Sequence, residues 1–111
     1  PLCCAGALAG LEVLENEKIV SKVEQKGVLF ESLLKHKMIK EIRRKGLFFA
    51  IELENPDIVQ KMVEGCKDKG LLSFWFLSCP ESFRIAPPLV ISMEEIKTSC
   101  AIIKDVMDQL S

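Results

Sequence analysis

The spacing of apolar residues along the chain predicts four helices. Residues 2–16 carry small and apolar side chains so densely that most of one helix surface should be buried. In three later stretches apolar residues recur every three or four positions, with lysine and glutamate on the opposite side, as in an amphipathic helix. The positions expected to face a core are Ile19, Val23, Gly27, Phe30 and Leu34 in the second helix, Ile58, Val59, Met62, Val63 and Cys66 in the third, and Ile96, Cys100, Ile103, Val106, Met107 and Leu110 in the fourth.

Capping residues mark the ends of the last two helices. Asn55-Pro56-Asp57 is a typical helix start, with a side-chain acceptor, a proline in the first turn and an acidic residue at the positive end of the helix dipole. Gly70 is the expected end of that helix, because glycine adopts the left-handed conformation easily. Ser92 and Glu95 have the spacing of a capping box and predict the start of the last helix.

Between these helices the pattern is that of strands. Residues 39–54 are predicted to form two strands or one long bent strand, with Gly46 at the bend. Residues 71–77, LLSFWFL, are predicted to form another strand, and a short fourth strand begins at Phe83 and ends before Pro87-Pro88. The order ααββαββα predicts an α+β fold, in which helices pack on one face of a small, mostly antiparallel sheet of three or four strands.

Composition narrows the class of protein. A chain of 111 residues with 49% apolar and 28% charged residues is typical of one soluble globular domain. The net charge of -1 argues against a nucleic-acid or anionic-membrane partner, and no apolar run is long enough to span a bilayer. Five cysteines at irregular spacing predict free thiols in a reducing compartment, so a cytoplasmic location is expected. The absent initiating methionine and the apolar first helix predict a segment of a longer protein.

Few residues suggest chemistry. One histidine and scattered cysteines do not predict a metal site, and His36 is expected to cap or solvate the end of the second helix. Arg84 is the exception, because it stands among apolar residues in FRIAPPLVIS (83–92) with Glu81 as its one nearby carboxylate. A guanidinium does not lose its proton, so it needs an anion or water. The residues alone leave open whether Arg84 is a surface arginine or a binding group.

Three stretches, in this order, carry a family resemblance. PLCCAGALAGLEVLE (1–15), IRRKGLFFAIEL (42–53) and FRIAPPLVISMEEI (83–96) resemble segments of the class III, fold type I aminotransferases of the ornithine and acetylornithine kind. The resemblance implies an enzyme that moves an amino group from an amino acid, such as ornithine, acetylornithine or a similar ω-amine, to a 2-oxo acid. It also implies pyridoxal phosphate as the cofactor, held as a Schiff base by a lysine of a large domain.

The resemblance implies a division of labour between domains. Residues 1–111 correspond to the C-terminal small domain, and the large domain would lie upstream, in an enzyme that is expected to be a homodimer. No catalytic, cofactor-binding or metal-binding residue carries over, so this chain alone is expected to be inactive. Arg84 does carry over, as the arginine that binds the substrate carboxylate. A planar fork of N–H donors matches a carboxylate bidentately, and Pro87-Pro88 would brace its position.

Some residues depart from the family pattern. Arg43-Arg44-Lys45-Gly46 stands where Arg-Gly-Lys-Gly is usual, and 74–82 is unusually aromatic. For Trp75 and Phe76 the prediction favours core packing over a place at the mouth of an active site. Two alternatives to an aminotransferase stay open: a decarboxylase or aminomutase of the same cofactor class, and a stand-alone α+β interaction or regulatory module without catalysis.

Overall fold

The computed structural model describes all residues, 1–111, as four helices and one four-stranded sheet. The elements in chain order are α1 (Leu2–Asn16), α2 (Ile19–Leu33), β1 (Glu41–Lys45), β2 (Phe48–Glu52), α3 (Pro56–Asp68), β3 (Phe74–Trp75), β4 (Ser82–Ile85) and α4 (Met93–Leu110). The strands lie in the order β1-β2-β4-β3, and every neighbouring pair is antiparallel. The predicted α+β class and its antiparallel sheet are confirmed. None of the four helices combines the length and the apolar character needed to cross a membrane.

The core lies between one face of the sheet and helices α2, α3 and α4. Alternate residues of β2 and β4 point into it, and Phe49, Ile51 and Phe83 are completely buried there. The predicted inward positions of α3 and α4 are confirmed, except that Leu110 is 37% exposed. Both predicted caps are present: Asn55 Oδ1 accepts from the Ile58 amide at 3.0 Å, and Ser92 and Glu95 form a reciprocal capping box.

The β1–β2 hairpin confirms two strands rather than one bent strand. Gly46 has a φ of +59° in the tight turn between them, a conformation that glycine adopts without strain. Helix α2 passes very close to this turn at Gly27. A Cβ atom added to Gly27 would lie 2.4 Å from the Gly46 carbonyl oxygen and 2.8 Å from Arg44 Nη1. The hairpin can therefore dock on α2 only because position 27 has no side chain.

Helix α1 corrects one prediction. It has the densest apolar sequence of the four helices, yet none of its residues is buried, and Leu2 and Leu8 are 86% and 60% exposed. Its contacts within the chain are to α2 alone. The core between the sheet and helices α2, α3 and α4 is complete without α1, which stays outside it.

The aromatic segment 71–77 gives a second correction. Only Phe74 and Trp75 pair as a strand, and the predicted core packing of Trp75 and Phe76 is wrong: Trp75 is 44% exposed and Phe76 is half-buried. The physical reason is that β3 is a short edge strand, paired on one side with β4. Phe76 packs instead edge-on against Phe48, with ring centroids 6.1 Å apart.

His36 gives a third correction. It lies beyond the end of α2, and its imidazole neither caps that helix nor points freely into water. Nδ1 accepts the Met38 amide proton at 3.1 Å, which leaves Nε2 protonated to donate to Asp108 Oδ1 at 2.8 Å. His36 therefore ties the loop after α2 to the last turns of α4.

Candidate functional site

The face of the sheet opposite the helices is the candidate site, and we call it the open face. Cross-strand pairing places four residues in one row across all four strands: Arg43, Ala50, Arg84 and Phe74. Strand alternation accounts for this row, because Phe49, Ile51, Phe83 and Ile85 take the opposite face and form the core. The small Ala50 leaves room above the sheet between the two arginines.

The Arg84 guanidinium lies on the open face and has no acidic partner within this chain. It is half-buried, no carboxylate lies within ion-pair distance, and no side-chain hydrogen bond involves it. Its guanidinium carbon lies 5.7 Å from the centre of the Phe74 ring, which is the geometry of a cation–π contact. Glu81, the carboxylate nearest in sequence, lies against Cys79 Sγ at 3.6 Å instead. The five N–H donors of the Arg84 guanidinium therefore find no side-chain acceptor within this chain, and water or an anionic group from outside it must satisfy them.

The other two arginines are both committed to carboxylates. Arg43 Nη1 lies 2.7 Å from Glu41 and 2.7 Å from Glu52, and hydrogen bonds to Glu52 and Glu41 raise the pKa of the Arg43 guanidinium. Arg44 lies 2.9 Å from Glu24 and 2.6 Å from Glu31 on α2, and its hydrogen bond lowers the pKa of Glu24. Arg84 is thus the one arginine of three that lacks an acidic partner.

A cavity of about 390 Å³ opens beside Arg84. Its lining consists of Phe74, Trp75, Phe76, Leu77, Ser78 and Arg84. Phe74, Trp75 and Leu77 are 52%, 44% and 94% exposed, so the cavity is open to solvent in this chain. Sequence reasoning identified Arg84 but missed the role of Phe74. The available signal was the alternation in FWF, which puts Phe74 and Phe76 on one face of an extended segment.

The remaining reactive side chains do not join this site. Cys66 and Cys100 are buried in the core, and burial raises the pKa of these thiols to about 11 and about 12. They therefore stay protonated near neutral pH and pack as small apolar groups. No group of three or more histidine, cysteine, aspartate or glutamate residues is arranged to hold a metal ion.

Comparison with known proteins places this geometry in a known class. The class III aminotransferase family matches residues 1–107. Ornithine aminotransferases from Bacillus anthracis and Oceanobacillus iheyensis are 42% and 36% identical over 96% of this chain. A solved Bacillus anthracis aminotransferase superposes with a TM-score of 0.89 at 34% identity, over 98% of this chain and 28% of its own. Acetylornithine aminotransferase from Elizabethkingia anophelis gives 0.86 at 34%, over 98% of this chain and 30% of its own.

The shared α+β small-domain architecture and the match along nearly the whole sequence define the class. The chain belongs to the class III aminotransferase family. It spans about 27% of the length of the two ornithine aminotransferases. Residues that lie elsewhere in those relatives therefore have no counterpart here.

Class III aminotransferases use pyridoxal phosphate, and the residues of this chain do not form a site for it. None of the twelve lysines is buried, and no lysine lines the Arg84 cavity. No loop of this chain presents successive glycine amides that could cradle a phosphate group.

Proposed function

We propose that this chain is the C-terminal small domain of a pyridoxal-phosphate-dependent aminotransferase. The enzyme would transfer an amino group from an amino acid, such as ornithine, acetylornithine or a similar ω-amine, to a 2-oxo acid. The names of the relatives support this class of substrate. The observation that carries the proposal is Arg84: a half-buried guanidinium without an acidic partner, in a row of side chains on the open face.

Arg84 has the properties of a group that binds and orients a substrate carboxylate. Its two terminal nitrogens can donate in parallel to both carboxylate oxygens, which fixes the direction of the substrate as well as its charge. The backbone of Arg84 is held on both sides, by β2 through Ala50 and by β3 through Phe74. The cofactor, when bound by the rest of the enzyme, supplies the electron sink. The task of this chain is then to hold the substrate in line for reaction.

The large domain and a second subunit are part of the same proposal. Helix α1 exposes Leu2, Leu8 and Leu11, and the open face exposes Phe48 and Phe74. Exposed apolar side chains grouped on one surface are typical of regions that pack against another domain or subunit. We place the cofactor-binding domain upstream of residue 1, and we assign the enzyme to the cytoplasm as a homodimer by analogy with its family.

Substitution of Arg84 in the full-length protein tests the proposal. Arg84→Gln should lower kcat/KM for the amino acid substrate. The expected loss of transition-state binding free energy is about 2–5 kcal/mol, the range for removing one partner of a buried charge pair. Arg43→Gln is the matched control, because Arg43 lies in the same row but is already paired with Glu41 and Glu52. Equal kcat/KM values for the wild type and Arg84→Gln would refute the assignment.

A further inference from the structure

The connection between β4 and α4, residues 86–90, begins two residues after Arg84 and makes few polar contacts of its own. The residues at its two ends are anchored in the core, since Ile85 and Ile91 are each 7% exposed. Its two prolines have no N–H group and cannot donate hydrogen bonds. One backbone hydrogen bond closes a turn within it, from the Ile91 amide to the Pro88 carbonyl oxygen at 3.0 Å. The prolines can hold Arg84 in position only if this connection is itself held.

Lys26 of α2 supplies a contact that holds the connection. Its Nζ donates to the Leu89 carbonyl oxygen at 2.9 Å, and the two residues are 63 positions apart in the chain. No other hydrogen bond joins residues 86–90 to a distant part of the chain. A charged donor makes a stronger hydrogen bond than a neutral one. The ammonium group of Lys26 is therefore the one polar link between α2 and the segment that follows Arg84.

The backbone of Lys26 is fixed on both sides. Gly27, the next residue, lies so close to the β1–β2 turn that an added Cβ would come within 2.4 Å of the Gly46 carbonyl oxygen. Glu24, two residues before Lys26, forms an ion pair with Arg44 at 2.9 Å. Because α2 is fastened to the hairpin at both of these points, the Lys26 side chain reaches the connection from a rigid support.

We infer that Lys26 is a positioning residue, which holds the β4–α4 connection and, through it, the guanidinium of Arg84. The inference rests on the proposed function of Arg84. Strand pairing fixes the backbone of β4 as far as Ile85, and the chain leaves the sheet there. Movement of the connection would be transmitted to this end of β4 and would shift Arg84 relative to the substrate. A displacement of about 1 Å in a binding group is enough to slow a reaction.

Hydrogen–deuterium exchange of the full-length protein tests whether Lys26 holds the connection. Lys26→Met removes the ammonium group and keeps the aliphatic part of the side chain. Exchange of the Ile91 amide should become about fivefold faster, the factor that corresponds to one hydrogen bond of ordinary net strength. Lys22→Met is the matched control, because Lys22 lies one turn earlier on α2 and its side chain forms no hydrogen bond. Unchanged exchange at Ile91 in Lys26→Met, or an equal change in the control, would overturn the inference.

Steady-state kinetics with two amines separate a positioning role from a purely structural one. The probes are ornithine and 1,4-diaminobutane, the same diamine without the carboxylate. Lys26→Met should lower kcat/KM for ornithine by about fivefold and leave that for the diamine within about twofold. Lys26→Arg, which keeps a charged donor, should recover most of the loss. Equal losses on both substrates would show that Lys26 supports the fold and does not act through Arg84.

The Arg84→Gln variant separates failure of this inference from failure of the proposed function. If Arg84→Gln lowers kcat/KM for ornithine alone and Lys26→Met changes neither substrate, Arg84 binds the carboxylate and Lys26 does not position it. If Arg84→Gln affects both substrates equally, the proposed function of Arg84 fails and the inference fails with it. If Lys26→Met does not fold, Lys26→Gln, which keeps a neutral N–H donor, replaces it, with a smaller change expected in the same direction.

Discussion

Phenylalanine side chains on the two faces of the sheet lie in different surroundings. On the covered face Phe49 and Phe83 are completely buried between the strands and the helices. On the open face Phe48 and Phe74 are about half exposed, at 49% and 52%, and their neighbours include Arg84. Phe83 and Arg84, which are adjacent in β4, therefore have different roles. One holds the fold together, and the other remains available to a ligand.

The arginines repeat this contrast. Arg44 is held between Glu24 and Glu31, where it fastens the hairpin to α2, and Arg43 joins three strands through Glu41, Glu52 and Ser82. Arg84 forms no ion pair within this chain. The hydrogen-bond donors of Arg43 and Arg44 are already used within the fold. The side-chain donors of Arg84 are available to a ligand, so the lack of an acidic partner in this chain is what makes Arg84 a candidate binding residue.

The largest expected effect compares neighbours on β4. Phe83→Ala should reduce the free energy of unfolding by about 3–5 kcal/mol, because a completely buried ring is removed from a packed core. Arg84→Ala should change it by about 1 kcal/mol or less, since Arg84 makes no ion pair and loses only its contact with the Phe74 ring. Denaturant titration of the two variants measures both values. Similar losses for the two variants would show that the faces are not separable.

A smaller effect is expected where α2 meets the hairpin. Gly27→Ala should destabilise the protein by about 1–3 kcal/mol, because the new methyl group would press on the Gly46 carbonyl oxygen. Gly10→Ala is the matched control on α1, where an added Cβ meets nothing within 4 Å. That substitution should stabilise its helix by up to about 1 kcal/mol. Thermal unfolding of both variants is measured on the 111-residue chain, in which α1 contacts α2 alone. A destabilised Gly10→Ala would contradict the exposed position of α1 there.

The smallest effect concerns thiols and pH. Cys100 has its pKa raised to about 12 by burial, so above the ordinary thiol value of 9.0 the unfolded chain ionises while the folded chain does not. The stability contributed by this group is complete below pH 9 and declines as the pH rises toward 12. Cys3 and Cys4 on α1 are exposed and should react with a thiol reagent in the folded protein at pH 8. Rapid labelling of Cys100 under the same conditions would show that the core is open.

Local features of the fold could be predicted from the sequence, because their causes lie within a few residues. The Asn55 cap, the Ser92–Glu95 box and the turn at Gly46 each depend on neighbours in the chain. The exposure of α1 and Trp75 could not be predicted, because periodicity records an apolar face but not whether a partner covers it. The bond from His36 to Asp108 joins residues 72 positions apart, and no local pattern indicates it.

The candidate site shows the same limit. The motif around Arg84 indicated a binding group. The lack of an acidic partner for Arg84 could not be predicted, because it depends on where every carboxylate of the chain lies in space. Glu81 lies only three positions before Arg84 and does not pair with it, whereas Glu52 forms an ion pair with Arg43. The contact between Phe74 and Arg84 likewise follows from the pairing of β3 with β4.

The most direct test of the central claim is a double-mutant cycle between Arg84 and the carboxylate of the substrate. In the full-length protein, kcat/KM is measured for the wild type and Arg84→Gln with ornithine and with 1,4-diaminobutane, which is ornithine without its carboxylate. If Arg84 binds the carboxylate, the substitution should lower kcat/KM for ornithine by at least about thirtyfold and leave that for the diamine within about threefold. Equal losses on both substrates would contradict the account, because the effect of Arg84 would then not depend on the carboxylate.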